Sequence, residues 1–91
     1  MNNRKKLVRF KEWKSAPQKG VKFKCAAIAP ELGLVATGDD NNQLTIWAFD
    51  EVYPVSSYGG FNSEVTCVQF SQDEKYLYAS SSGGTIVVWD V

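Results

Sequence analysis

The carboxylates of this chain fall mostly in pairs, Asp39-Asp40, Asp50-Glu51 and Asp73-Glu74. Acid–base catalysis by two carboxyl groups needs them to converge on an apolar pocket. These pairs stand instead in stretches that read as turns. A Ser-His or Cys-His nucleophile is excluded, because the sequence contains no histidine. Asp39-Asp40-Asn41-Asn42 offers oxygen ligands but lacks the D-x-D-x-D-G spacing and the distal glutamate of a calcium loop. Cys25 and Cys67 raise the prospect of a disulfide or half a metal site. Without histidine or further cysteines a zinc ligand set is incomplete, and the two read as small buried thiols. Gly59-Gly60 and Gly83-Gly84 lack the strand-to-helix setting of a phosphate loop and read as turn glycines. These residues point to a chain that is not an enzyme, with no catalytic residue, metal or cofactor.

One cluster could still bind. The net charge is zero, yet nine of the ten Lys/Arg lie in residues 1–24 beside one acid, Glu12. From residue 25 onward nine acids face one base, Lys75, so +8 is followed by −8. Arg4, Lys5, Lys6, Arg9 and Lys11 form a candidate basic contact, interleaved with Phe10 and Trp13. Basic and aromatic residues together can bind single-stranded nucleic acid, and the same charge would meet an acidic protein tail. The plainer reading is a solvated edge strand, with lysines discouraging unwanted pairing and Trp13 packed inward.

The elements that must position these residues are strands. No apolar run approaches the length of a membrane span, and the start of the chain lacks an apolar signal core, which favours the cytosol or nucleus. Val8 to Trp13 alternates as an amphipathic strand. Further strands are expected at Phe23–Ile28, Leu34–Thr37, Leu44–Phe49, Val52–Tyr58, Val65–Phe70, Tyr76–Ser80 and Thr85–Asp90. Pro54 favours an edge position for the fourth of these. Gly38-Asp39-Asp40-Asn41-Asn42 is a strong turn signal. Short strands with turns between them mean an all-β, antiparallel fold.

The chain also repeats. Shifted by 42 residues, Cys25 falls on Cys67, Val35 on Leu77, Leu44 on Ile86 and Trp47 on Trp89. Strands apolar on both faces need packing on both sides, which stacked four-stranded sheets provide.

Residues 65–91, VTCVQFSQDEKYLYASSSGGTIVVWDV, resemble a WD repeat, the blade of a β-propeller. Val65, Val68, Phe70, Ser71, Asp73, Leu77, Thr85, Ile86, Trp89 and Asp90 carry the resemblance. Phe23, Ala26, Ile28, Val35, Leu44, Ile46 and Trp47 carry it more loosely in the first block. The resemblance implies two four-stranded antiparallel blades of an incomplete ring. A basic segment with an outer strand would fill residues 1–20, a first blade 21–62 and a second, truncated blade 63–91. The family's Gly-His pair is replaced by Gly60-Phe61 and by Gln18-Lys19. Its turn aspartate is replaced by Gly83 and by Asn41, with Asp40 beside it. The family's buried polar network therefore cannot form as usual in either blade, which points to divergent blades or to blades held by apolar packing.

A narrower resemblance rests on Lys6, Leu7, Ala36–Asp40, Leu44, Trp47, Gly84, Ile86, Trp89 and Asp90. These are similar to the amino-terminal blades of the katanin regulatory subunit family. That resemblance implies a cytoplasmic, cytoskeletal, non-catalytic scaffold that targets a microtubule-severing ATPase, with tubulin and the ATPase complex as partners. An RNA-binding propeller is the alternative, less favoured. Partner contacts are expected on one rim, at Lys19, Asp39, Asp40, Asn41, Phe61, Asn62, Ser81 and Ser82. Phe61, in the histidine's place, is either a packed substitute or a contact anchor. Propellers close with four to eight blades. The chain therefore reads as the first two blades of a longer protein, the other reading being a half-propeller that assembles with its own copies.

Overall fold

The computed structural model describes residues 7–15 and 20–91, which form two antiparallel sheets. The first holds β1 (Phe23–Ala29), β2 (Leu34–Asp39), β3 (Leu44–Ala48) and β4 (Ser56–Tyr58), paired in that order. The second holds β5 (Val65–Phe70), β6 (Tyr76–Ser81) and β7 (Ile86–Asp90), again in sequence order. Both sheets carry the same irregularity in their first strand, at Phe23/Cys25 and at Val65/Cys67. The shared defect shows that the 42-residue repeat extends to the backbone.

Each turn follows from its residues. Asn42 and Gly84, equivalent in the repeat, both take positive φ, at 65° and 97°. Asn and Gly are the residues that tolerate that conformation best. The β5–β6 turn is closed by side chains. Ser71 Oγ donates to Asp73 Oδ1 (2.7 Å), which also accepts the Lys75 N–H (3.1 Å). Blade 1 has Ala29 and Glu31 at those places, and its turn relies on Gly33 at φ 69°.

β4 has three residues rather than the seven expected from Val52 to Tyr58. Pro54 has no N–H to give a ladder, and pairing begins only beyond Val55, whose N–H reaches Ile46 O at 2.8 Å. The expected strand from Val8 to Trp13 is absent: residues 7–15 run without regular structure. The outer edge of β3 is already taken by β4, so that segment does not serve as the outer strand of blade 1. It lies against the sheet instead. The Trp13 ring stands 5.5 Å from Trp47, and Phe10 meets Phe49 edge-on at 6.3 Å.

The core lies between the two blades. Ala36, Leu44 and Ile46 from blade 1 meet Phe61, Val65, Val68, Phe70, Leu77 and Ala79 in one buried cluster. Gly38 marks the closest approach. A Cβ there would collide with Val65 Cγ1 and sit 2.7 Å from Cys25 Sγ, so no side chain fits. Glu74 clamps the far end of the seam, its carboxylate accepting the N–H groups of Glu31 (3.2 Å) and Leu32 (2.9 Å) across the blades.

Candidate partner-binding rim

The β2–β3 turn, the loop before β5 and the β6–β7 turn gather at one end of the sheets. Backbone hydrogen bonds place them there. Asp40 N–H donates to Lys22 O at 3.1 Å, and the Lys22 N–H returns to Asp40 Oδ1 at 2.9 Å. In blade 2, Ser82 N–H donates to Glu64 O at 3.0 Å and Gly83 N–H to Ser63 Oγ at 2.6 Å. The turn after the second strand is thus tied to the entry of the first strand in both blades, by the same backbone bond and by a different side-chain bond.

The eight rim candidates divide by burial. Asn41, Asn62 and Ser82 are exposed, and Asp40 is half-buried. Asp39, Phe61 and Ser81 are buried, so their side chains face inward rather than toward a partner. Lys19 lies outside the described residues, as do Arg4, Lys5 and Lys6 of the basic contact.

Each buried candidate has a structural task or a structural consequence. Asp39 Oδ1 accepts the N–H groups of Asn41 (2.9 Å) and Gln43 (3.0 Å), closing the turn from inside. The turn carboxylate is therefore Asp39, not a residue at the Asn41 position. The signal was its place before Asp40-Asn41-Asn42, since Asp readily accepts the N–H two residues on. Phe61 packs on Trp89 at 6.0 Å. It fills the histidine's place as a packed aromatic. Ser81, which replaces Asp39 in blade 2, is 7% exposed, and its hydroxyl has no partner among the described residues.

A remnant of the polar network survives in blade 1. Trp47 Nε1 donates to Thr37 Oγ1 at 2.9 Å, with both groups buried. Ala79 stands at the equivalent place in blade 2 and offers Trp89 no hydroxyl.

The basic segment presents less than its composition suggests. Arg9 pairs with Glu12 at 3.0 Å, and Lys14 lies 3.9 Å from the same carboxylate. Exposed pairs of this kind contribute little stability, but they do reduce the charge on offer. Trp13 donates its indole N–H to Glu51 O at 3.1 Å while stacking on Trp47. Its ring is committed to the blade. Phe10 is 78% exposed.

The cysteines are both free. Cys25 is half-buried, with its Sγ 3.5 Å from Val65 O, and burial pushes its thiol pKa up. Cys67 is exposed, against the expectation of a buried thiol. No group of three or more His, Cys, Asp or Glu among the described residues could hold a metal ion. Asp73 is held below the ordinary carboxylate range by the Ser71 hydroxyl and then by the Lys75 N–H. It is a turn residue, on the end opposite the rim.

Comparison with known proteins places this geometry. Residues 52–90 match the sequence model of the family described as WD domain, G-beta repeat. Target of rapamycin complex subunit LST8 of Saccharomyces cerevisiae is 40% identical over 58 residues, covering 64% of this chain and 19% of that protein. Periodic tryptophan protein 2 of the same yeast is 25% identical over 87 residues, covering 93% of this chain and 9% of its own length. Katanin p80 WD40 repeat-containing subunit B1 of Danio rerio is 34% identical over 53 residues, 58% of this chain and 8% of that protein. The chain thus spans a fifth or less of these relatives. Among solved structures, Sqt1 of Saccharomyces cerevisiae superposes with a TM-score of 0.69 at 20% identity, over 72% of this chain and 18% of that one. The β-propeller domain of Cps50 (Swd1) from Myceliophteria thermophila gives 0.68 at 19% identity, over 75% and 21%. The chain carries the WD-repeat β-propeller fold.

Proposed function

We propose that this WD-repeat chain is a non-catalytic protein-binding scaffold whose contact surface is the rim carrying Asp40, Asn41, Asn62 and Ser82. The observation that carries the reading is the locking of both rim turns onto strand entries, through Asp40 with Lys22 and through Ser63 and Glu64 with residues 82–83. Rigid turns lose little entropy when a partner binds, and they leave exposed polar groups at fixed spacing. A photo-crosslinking residue placed at Asn62 or Ser82 in cells tests it. Protein adducts at those sites, and none at Gln72 on the opposite end, are expected. Adducts to nucleic acid, or equal labelling at Gln72, overturn it.

The finer reading is a part in targeting a microtubule-severing ATPase complex, in the cytoplasm and on the cytoskeleton. It is supported by the similarity to the katanin p80 subunit over 58% of the chain. An equal case from the LST8 and periodic tryptophan similarities keeps the partner class broader than tubulin. Co-sedimentation with microtubules at low and high salt tests the finer reading. Binding that falls with salt supports it, and none at low salt removes it. RNA binding through the basic segment is disfavoured, since Trp13 is stacked and hydrogen-bonded and Arg9 is paired.

A further inference from the structure

The short sequence Asp-Glu-x-Tyr occurs twice, as Asp50-Glu51-Val52-Tyr53 and as Asp73-Glu74-Lys75-Tyr76. The fold treats the two copies in opposite ways. The second is closed into the β5–β6 turn. Asp73 accepts from Ser71 Oγ and from the Lys75 N–H, and the Glu74 carboxylate is taken by the N–H groups of Glu31 and Leu32. Tyr76 opens β6, its N–H donating to Ser71 Oγ at 3.1 Å and its carbonyl accepting the Ser71 N–H at 2.9 Å. Both acids and the tyrosine backbone are thus in use.

The first copy is open. Asp50 to Val55 are all exposed and belong to no strand. The loop is tied only at its ends, by the Glu51 N–H to Ala48 O at 3.1 Å and the Val55 N–H to Ile46 O at 2.8 Å. Between these anchors Val52, Tyr53 and Pro54 make no backbone hydrogen bond among the described residues. Tyr53 is 80% exposed, whereas Tyr58, Tyr76 and Tyr78 each stand in a strand at 41–43%. Pro54 keeps Tyr53 extended, because a proline ring clashes with an α conformation in the residue before it.

An extended, exposed tyrosine behind two free carboxylates suits a kinase that reads its substrate by charge. Such an enzyme sets basic groups beside its catalytic site, and the phenol must reach in without a sheet being opened. We propose that Tyr53 is a phosphorylation site for a tyrosine kinase that selects acidic residues before its target, and that Tyr76, with the same acids before it, is not. In the reaction Tyr53 Oη bonds to the γ-phosphorus of a nucleoside triphosphate while the bond from that phosphorus to the β–γ bridging oxygen breaks. The phenol proton passes to the kinase's catalytic carboxylate, and the nucleoside diphosphate leaves. The product adds a charge of about −1.5 to −2 to the loop at neutral pH. A phosphotyrosine on an exposed loop is a group that arginine clusters of partner domains grip through paired hydrogen bonds.

Incubation of the 91-residue chain with magnesium ATP and a tyrosine kinase of that preference tests the proposal, with each tyrosine read by mass spectrometry. Tyr53 should take phosphate at least about tenfold faster than Tyr58, Tyr76 or Tyr78. Tyr53→Phe should remove most of the label and leave the β-sheet circular dichroism spectrum unchanged. Asp50→Asn/Glu51→Gln should slow labelling of Tyr53 about tenfold, by removing the charge that the kinase reads. Peptides 48–58 and 71–81, freed from the fold, should be labelled within about threefold of each other, which assigns the difference in the chain to its backbone. No phosphate at Tyr53 overturns the proposal. So does labelling of Tyr76 at the rate of Tyr53, labelling that the double variant leaves unchanged, or a pair of peptides that differ as much as the two sites do in the chain.

Discussion

Leu44 and Ile86 occupy the same place in their blades, yet Leu44 is fully buried and Ile86 is 73% exposed. Ala36 is likewise buried against exposed Tyr78, and Cys25 half-buried against exposed Cys67. Both sheets have similar strands, the same defect in the first strand and a positive-φ residue at the same turn position. What separates them is the neighbour. Among the described residues, blade 1 has blade 2 against one face and residues 7–15 against the other, whereas blade 2 has blade 1 alone. A repeat protein draws stability from the interfaces between units, so two units of like sequence need not be equally stable.

The largest expected effect breaks the comparison at its centre. Leu44→Ala should cost about 2–5 kcal/mol in urea unfolding, while Ile86→Ala, at a concentration where the chain is single, should stay within about 0.5 kcal/mol. Equal costs would mean that the blades are alike in solution. Next comes the seam. Gly38→Ala should destabilise by about 1–3 kcal/mol, because its methyl enters Val65 and Cys25, whereas Ser80→Ala at the equivalent place should be nearly neutral. A neutral Gly38→Ala would show that the blades can part at little cost.

These contrasts also show what could be read from the residues. The 42-residue register, the strand order and seven of the eight expected strands follow from alternation and turn residues. Their limits differ where local chemistry intervenes, as at Pro54. The eighth, from Val8 to Trp13, has the right alternation, but a strand also needs a partner, and β4 had taken the place beside β3. Phe61 was legible as a substitute for histidine, although its choice between packing and contact depended on Trp89 being 6.0 Å away. Asp39 was misplaced on the rim because the turn string Asp39-Asp40-Asn41 contains three residues able to close a turn. Which one faces inward depends on the strand's pleat and on where β2 ends. The exposure of Cys67 was illegible, since equivalent residues carry no sign of which has a neighbour.

A smaller effect sharpens the polar difference. Thr37→Val should cost about 1–2 kcal/mol, because it leaves the buried Trp47 N–H without an acceptor. Unchanged stability would mean that the indole finds another partner. The mildest contrast is chemical. With iodoacetamide at about pH 8, Cys67 should react first and Cys25 lag, since burial both shields Cys25 and raises its pKa. Equal rates would indicate that the seam opens readily.

Hydrogen exchange, read strand by strand on the dilute chain, tests the inequality of the blades most directly. The two strands compared, β3 and β7, pair alike with β2 and β6, and differ in what covers them and in β4, which pairs with β3 alone. The amides of Leu44–Ala48 should exchange at least about tenfold more slowly than those of Ile86–Asp90. Equal protection of the two strands in the dilute chain would contradict the account.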